Sequence, residues 1–168
     1  MSVVAWDGNI LAADGGSWSD GMLYSRKKIW QASVRTEPNS RILVGAVGVT
    51  AEAAALASAA STAYLLEHGG KSVTHREIVE AECKVSLTDV QVMLFDPWRK
   101  LAYMFDNAAV CYPIDYHEKI AIGHSSVVGA AMGLMLIAKM PADEAVKAIS
   151  DLDTFDTAAR GMYSLKAI

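Results

Sequence analysis

The sequence predicts an α+β fold, an antiparallel sandwich in which helices cover sheets. Three observations lead there. Strand-like runs, then helical stretches, then strands, then helices follow one another along the chain. No β-α-β alternation of the kind that builds parallel sheets is present, and no internal repeat is visible. A chain of 168 residues with 52% hydrophobic content and no Pro/Gly/Ser-rich linker fits one globular domain spanning residues 1–168.

The elements are expected as follows. Val3 to Trp6 and Ile10 to Ala13 are short apolar runs joined around Asp7-Gly8, a strong hairpin signal because both turn positions favour positive φ. With Asp7 and Gly8 as the two turn residues, paired positions sum to 15, which sets Ser2 opposite Ala13 and Asp14 at the strand end. Strict alternation aims Asp14 at the face away from Ser2, so a longer bridging side chain is needed to connect them. Gly21 to Ser25, Lys28 to Val34 and Arg41 to Val47 read as further strands, the last after a turn at Pro38-Asn39-Ser40.

From Thr50 to His68 an alanine-rich stretch predicts a buried helix, with Thr50 as N-cap and Gly69 as the stop. Thr74-His-Arg-Glu77 is a capping-box pattern that opens a second, short helix through about Cys83. Asp89 to Phe95, Leu101 to Phe105 and Ala109 to Ile114 form a β-meander with turns at Asp96-Pro97 and Asp106-Asn107. Lys119 to Ile122 is one more strand. A helix over about Ser126 to Lys139 follows, capped by Ser125 or Ser126. Pro141, at the first helical position and followed by Asp143 and Glu144, opens a last helix to about Leu152.

Charge excludes several function classes. The balance of 15 basic and 19 acidic residues leaves a net charge of −4 and no basic footprint for nucleic acid or an anionic membrane. Cys83 and Cys111 stand far apart and outside any C-x-x-C, so neither a disulfide framework nor a zinc site is expected. No two of the four histidines share a helix at i and i+4, and no metal or other cofactor is expected. The first basic residue is Arg26 and no signal-like apolar stretch follows Met1, which fits a cytoplasmic protein. Ile120 to Ala138 lacks Asp, Glu, Lys and Arg, but Gly123-His-Ser-Ser126 interrupts it, leaving a core helix rather than a membrane span.

Two motifs are decoys. Gly69-Gly-Lys-Ser72 has the end of a phosphate loop, yet the required earlier glycine falls on Leu65 and the motif follows a helix instead of a strand. Ile120-Ala-Ile-Gly123-His124-Ser125-Ser126-Val127 begins like a hydrolase nucleophile elbow. Val127 occupies the second glycine position, and no histidine follows Ser125, so that triad cannot form in its usual order.

The N-terminus carries the remaining chemistry. Ser2 is small, so methionine aminopeptidase can remove Met1 and leave serine with a free α-amine. An α-amine titrates near 8, close enough to neutrality to serve as general base for its own hydroxyl. Such a site needs a cation beside it, an anion to hold that cation, and an oxyanion donor; Lys28, Asp14 and the backbone N–H of Gly48 are the candidates. By this chemistry alone, Ser2 as an ordinary second residue stays open.

Four segments then carry a resemblance. Ser2-Val-Val-Ala-Trp-Asp-Gly-Asn-Ile-Leu-Ala-Ala-Asp14, Arg26-Lys-Lys28-Ile, Val44-Gly-Ala-Val-Gly48-Val-Thr-Ala-Glu and Ile120-Ala-Ile-Gly-His124, in that order across nearly the whole chain, resemble the proteasome β-subunit family and its bacterial two-component-protease relative. The resemblance implies a four-layer αββα sandwich of two antiparallel sheets between helix layers. It also implies amide hydrolysis by a processed N-terminal residue and assembly of copies into a ring. A peptide or unfolded protein would be the substrate, with an ATP-driven unfoldase as possible partner. By position the nucleophile matches Ser2, the acid–lysine pair Asp14 and Lys28, and the oxyanion glycine Gly48. Asp156 resembles the later aspartate that supports the amine.

The chain departs from the family in two places. Serine replaces threonine as nucleophile and lacks the methyl that fixes the rotamer. The family's Gly-Ser-Gly, which orients the amine, becomes Gly123-His124-Ser125, so either Ser125 substitutes or the support is altered. The other reading is a catalytically silent ring protein that retains Met1.

Overall fold

The computed structural model describes residues 2–19, 22–34, 37–48, 90–105, 111–152 and 162–167. The helices expected over 50–68 and 74–83, and Asp156, lie outside these residues. The chain divides into two compact units, Met1–Ile29 with His117–Ile168, and Trp30–Tyr116.

The first unit holds β1 (Val3–Trp6), β2 (Ile10–Asp14), β3 (Gly16–Ser19) and β4 (Met22–Ser25), and later β10, β11 and two helices. The second unit is built on β5 (Ile29–Val34), β6 (Glu37–Gly48), β7 (Val90–Asp96), β8 (Leu101–Phe105) and β9 (Cys111–Ile114). They form one sheet in the order β5-β6-β7-β8-β9, with β6 to β9 antiparallel to their neighbours as the meander predicts. Strand β6 runs through Pro38–Ser40, where a turn is expected. Its pairing with β7 begins only at Leu43, so the N–H that proline lacks is not missed by β7. The β7–β8 turn is held by the buried Asp96, which accepts the N–H groups of Trp98 and Arg99 at 3.0 Å each and pairs with the Arg99 guanidinium at 2.9 Å.

Returning to the first unit, β10 (Ile120–Gly123) and β11 (Met162–Lys166) flank the N-terminal hairpin in a four-stranded antiparallel sheet of order β10-β1-β2-β11. Strands β3 and β11 are not foreseen by the sequence reading. Helix α1 covers Ser125–Leu136 and α2 covers Ala142–Ser150. Val3 and Ala5 of β1 and Ile10 and Ala12 of β2 pack with Val127, Ala131 and Met135 of α1 and Ala145, Val146 and Ile149 of α2. Val4, Trp6, Leu11 and Ala13, which alternate with them, are also fully buried. Both faces of the central hairpin are therefore buried.

Several boundaries need correction. The hairpin register pairs Val4 with Ala13 and Trp6 with Leu11, so paired positions sum to 17 and Val3, not Ser2, is the neighbour of the Asp14 level. The cause is the Asp7 side chain. Its Oδ1 accepts the N–H of Asn9 at 2.9 Å and of Ile10 at 2.8 Å, which moves the turn centre to Gly8-Asn9, with Gly8 at φ 99°. Helix α1 starts one residue earlier than expected and its N-cap is His124, with no side-chain cap from Ser125 or Ser126. Pro141 is the N-cap of α2 rather than its first residue, so the cap is supplied from elsewhere.

That supplier is Asp7 again. Its Oδ2 accepts the N–H of Ala142 at 2.8 Å, across 135 positions of sequence. One carboxylate thus closes the β1–β2 turn and satisfies an orphan donor at the start of α2, where negative charge is also favoured by the helix dipole. Replacement of Asp7 by Ala removes three accepted hydrogen bonds. A loss of about 1–3 kcal/mol in urea unfolding is expected, with Asp7→Asn losing less; an unchanged midpoint for the alanine variant would refute this staple.

Candidate active site

Asp14 ends β2 and is fully buried. Its carboxylate accepts three hydrogen bonds: the Val3 N–H on Oδ1 at 2.7 Å, and on Oδ2 the Gly16 N–H at 3.0 Å and the Lys28 ammonium at 2.5 Å. Lys28 is 4% exposed and also donates to the Gly16 carbonyl. The sequence assigns these two residues to one site, and the structure brings them together.

The β3–β4 hairpin explains how. Gly16 pairs with Ser25, and the Arg26 N–H donates to the Gly15 carbonyl at 2.9 Å, so the register extends one step beyond the strands. Residue 28 therefore returns to the level of residue 14 without any long excursion. Gly16 ties the pair to the backbone, supplying both an N–H to Asp14 and a carbonyl to Lys28.

Burial pushes the Lys28 ammonium below its usual 10.5, because charge is costly away from water. The Asp14 charge and hydrogen bond oppose that shift, and Arg26 adds a smaller repulsion in the same direction as burial.

Ser2 precedes β1 and is half-buried. Its carbonyl accepts the His124 N–H at 3.0 Å, which continues the β1–β10 register in which Val3 faces Gly123. Gly123 has φ 130°, and a Cβ on it would lie 2.0 Å from the Ser2 carbonyl oxygen. Only glycine permits that approach. Alternation does place Ser2 and Asp14 on opposite faces, as anticipated. The connection runs through backbone, because Asp14 accepts the N–H of Val3, the residue directly after Ser2.

The other named residues divide. Ser125 is exposed at the first position of α1. Gly48 ends β6 in the second unit, opposite Val90, exposed and at φ 127°. Asp156 is outside the described residues. Gly16 and Gly123 are contributors the sequence reading missed. Glycine following the hairpin aspartate, and glycine ending a strand that must pair with the N-terminus, are the signals that could have found them.

No family model matches the sequence, and no curated protein matches it at a significant level. Solved structures do. BPH of Thiobacillus denitrificans aligns with a TM-score of 0.60 and 12% identity, over 99% of this chain and 97% of that one, and is also solved in complex with epoxomicin. Eukaryotic HslV from Trypanosoma brucei aligns with a TM-score of 0.59 and 13% identity, over 98% of each chain. Anbu, an ancestral beta-subunit, from Yersinia bercovieri aligns with a TM-score of 0.63 and 10% identity, over 99% of this chain and 81% of that one. The chain has a proteasome-like fold. Its antiparallel sheets and helices are of the α+β class expected from the sequence.

In this proteasome-like fold the buried pair has a pH signature. Lys28 titrates at 10.5 when unfolded and lower when folded, so between the two midpoints the folded state binds fewer protons and stability rises with pH. Lys28→Met, which leaves Asp14 buried without its cation, is expected to cost about 3–5 kcal/mol near neutrality. The wild-type advantage over this variant should widen further as pH climbs towards 10.5, read from urea unfolding at a series of pH values; a constant difference would contradict the desolvation of Lys28.

Proposed function

We propose that this chain is a proteasome-like N-terminal-nucleophile peptidase in which Ser2, exposed by removal of Met1, attacks the carbonyl of a peptide bond. The observation that carries the reading is the buried Lys28–Asp14 pair locked to the first residue of β1. Such a pair is expensive to bury, and buried charged groups with shifted titration gather at functional sites.

The free α-amine takes the proton of the Ser2 hydroxyl as Oγ bonds to the carbonyl carbon. Lys28 has three N–H donors, two of them used by Asp14 and the Gly16 carbonyl. The third serves the developing alkoxide, and the positive charge keeps the amine neutral at working pH. The Gly48 N–H is the proposed oxyanion donor, and Asp156 and Ser125 are proposed to support the amine. The ammonium then returns its proton to the leaving amine, and water, activated by the same amine, releases the acyl group from Ser2. Peptides or unfolded proteins are the substrate class, in the cytoplasm, and an ATP-driven unfoldase would deliver folded ones. Among the described residues no helix is long and apolar enough to cross a membrane.

A homo-oligomeric ring belongs to the same reading. Anbu from Pseudomonas aeruginosa is solved as a helical assembly of its complex. Here Leu136 and Ile137 at the end of α1 are 47% and 84% exposed, and a Cβ at Gly129 or Gly133 would meet nothing within 4 Å. This apolar helix has room for close approach of a second copy.

Two experiments follow. Ser2→Ala, produced with Met1 removed and checked by intact mass, is expected to lower hydrolysis of small peptide amides at least about a thousandfold with the fold retained. Epoxomicin binding should be lost in parallel. An unchanged rate sinks the nucleophile assignment, and complete retention of Met1 in the native cell leaves only the silent assembly. Native mass spectrometry is expected to show a multimer that Ile137→Asp reduces to smaller species; a monomeric wild type would remove the ring.

A further inference from the structure

The β7–β8 turn is built more heavily than a turn requires. Asp96 pairs with Leu101 to close it over Pro97–Lys100, a reversal that glycine or asparagine can make unaided. Here a carboxylate only 1% exposed accepts two backbone N–H groups and the Arg99 guanidinium. Lys100 holds φ 56°, a left-handed value that a residue with a Cβ adopts at a cost. Its ammonium lies 4.9 Å from the centre of the buried Tyr116 ring, which meets Phe95 edge-on.

The residue held out by this frame is Trp98, 66% exposed, with Leu101, also exposed, at its base. Single apolar side chains on a surface are ordinary. A tryptophan fixed at the tip of an over-determined turn differs, because little freedom is lost when a partner covers it. Asp96 offsets the charge of Arg99, and Lys100 leaves the collar of this apolar knob positive.

A complementary surface lies at the corner between α1 and α2. Leu136 and Ile137 form its exposed apolar centre, and Glu144, exposed, and Asp143, half-buried, open α2 beside it. The lysines of the corner are turned onto backbone. Lys119 donates to the Met135 carbonyl at 2.9 Å and Lys139 to the Leu136 carbonyl at 2.6 Å, where the negative end of the helix dipole receives their charge. The rim left for a partner is acidic.

We propose that Trp98 of one copy docks on Leu136 and Ile137 of a second copy, with Lys100 of the first facing Asp143 and Glu144 of the second. The proposal rests on the homo-oligomer reading above and names the two surfaces that meet in it. The knob belongs to one compact unit and the socket to the other, so every copy offers both, and the contact repeats from copy to copy until it closes. Tryptophan set among aliphatic side chains is the kind of anchor that carries most of an interface, and a cationic collar against an acidic rim steers the approach.

The test is native mass spectrometry of the full chain. Trp98→Asp and Ile137→Asp, each checked for native secondary structure by circular dichroism, are expected to be monomers alone, and Trp98→Ala is expected to raise the concentration of half-dissociation at least about thirtyfold. Mixed in equal amounts, the two aspartate variants are expected to form a heterodimer and nothing larger, since one keeps its socket and the other its knob. Lys100→Glu is expected to weaken assembly and Glu144→Lys in the same chain to restore part of it, which a local effect on the Tyr116 ring would not do. A wild-type multimer that survives Trp98→Asp yet dissociates with Ile137→Asp overturns the docking of Trp98 and leaves the oligomer standing. Variants that dissociate but do not pair on mixing overturn it as well. A wild type that stays monomeric at every concentration removes the oligomer and this contact together.

Discussion

Everything near the N-terminus depends on burying one ion pair, Asp14 with Lys28. Two charges taken out of water are tolerable only if their remaining hydrogen-bonding capacity is met. The backbone meets it. Asp14 receives the N–H of Val3 and of Gly16, and Lys28 gives a hydrogen to the Gly16 carbonyl. The same bonds dictate that β1 must lie beside β2 in one register only and that the β3–β4 hairpin must return to its starting level. One set of contacts thus satisfies the buried pair and fixes the strand register, which makes slippage of the first strand costly.

A second carboxylate, Asp7, performs the corresponding task at the other end of the hairpin. It sets the turn and holds the first turn of α2, while α1 and α2 pack on the face formed by Val3, Ala5, Ile10 and Ala12. Strand β1 is therefore fixed at both ends by aspartates and along its length by apolar burial. Ser2 inherits its position from this arrangement without being part of the core. The half-buried serine sits directly before a strand that is fixed at both ends.

How far the sequence reveals this depends on which atoms do the work. The strand pattern and the meander are legible because they rest on side-chain types at regular spacing, and the pairing of Asp14 with Lys28 because the family resemblance implies it. The hairpin register is not, because Asp7 accepts backbone N–H groups from Asn9 and Ile10 and displaces the turn from the position its Asp-Gly dipeptide suggests. The start of α1 was misread for a similar reason. Two serines looked like caps, yet the residue with cap geometry is His124, whose extended backbone at ψ 134° still belongs to the β10 ladder. Strand β11 was missed because Met162–Lys166 is short, and its pairing with β2 comes from contacts far away in sequence. Gly16 and Gly123 matter through carbonyl and Cβ geometry, which composition does not report.

On the proposed reading, a serine at position 2 where the resemblance expects threonine can then be weighed in physical terms. Without the branching methyl, the Ser2 side chain keeps more rotamer freedom, and each unproductive rotamer subtracts from the reactive population. The backbone cannot compensate by shifting, because the Ser2 carbonyl is held by the His124 N–H and closed in against Gly123, where even a methyl group would collide. The remaining freedom is about the Cα–Cβ bond and about the orientation of the amine. At position 2 only the half-buried surroundings of the strand end restrict rotation about that bond.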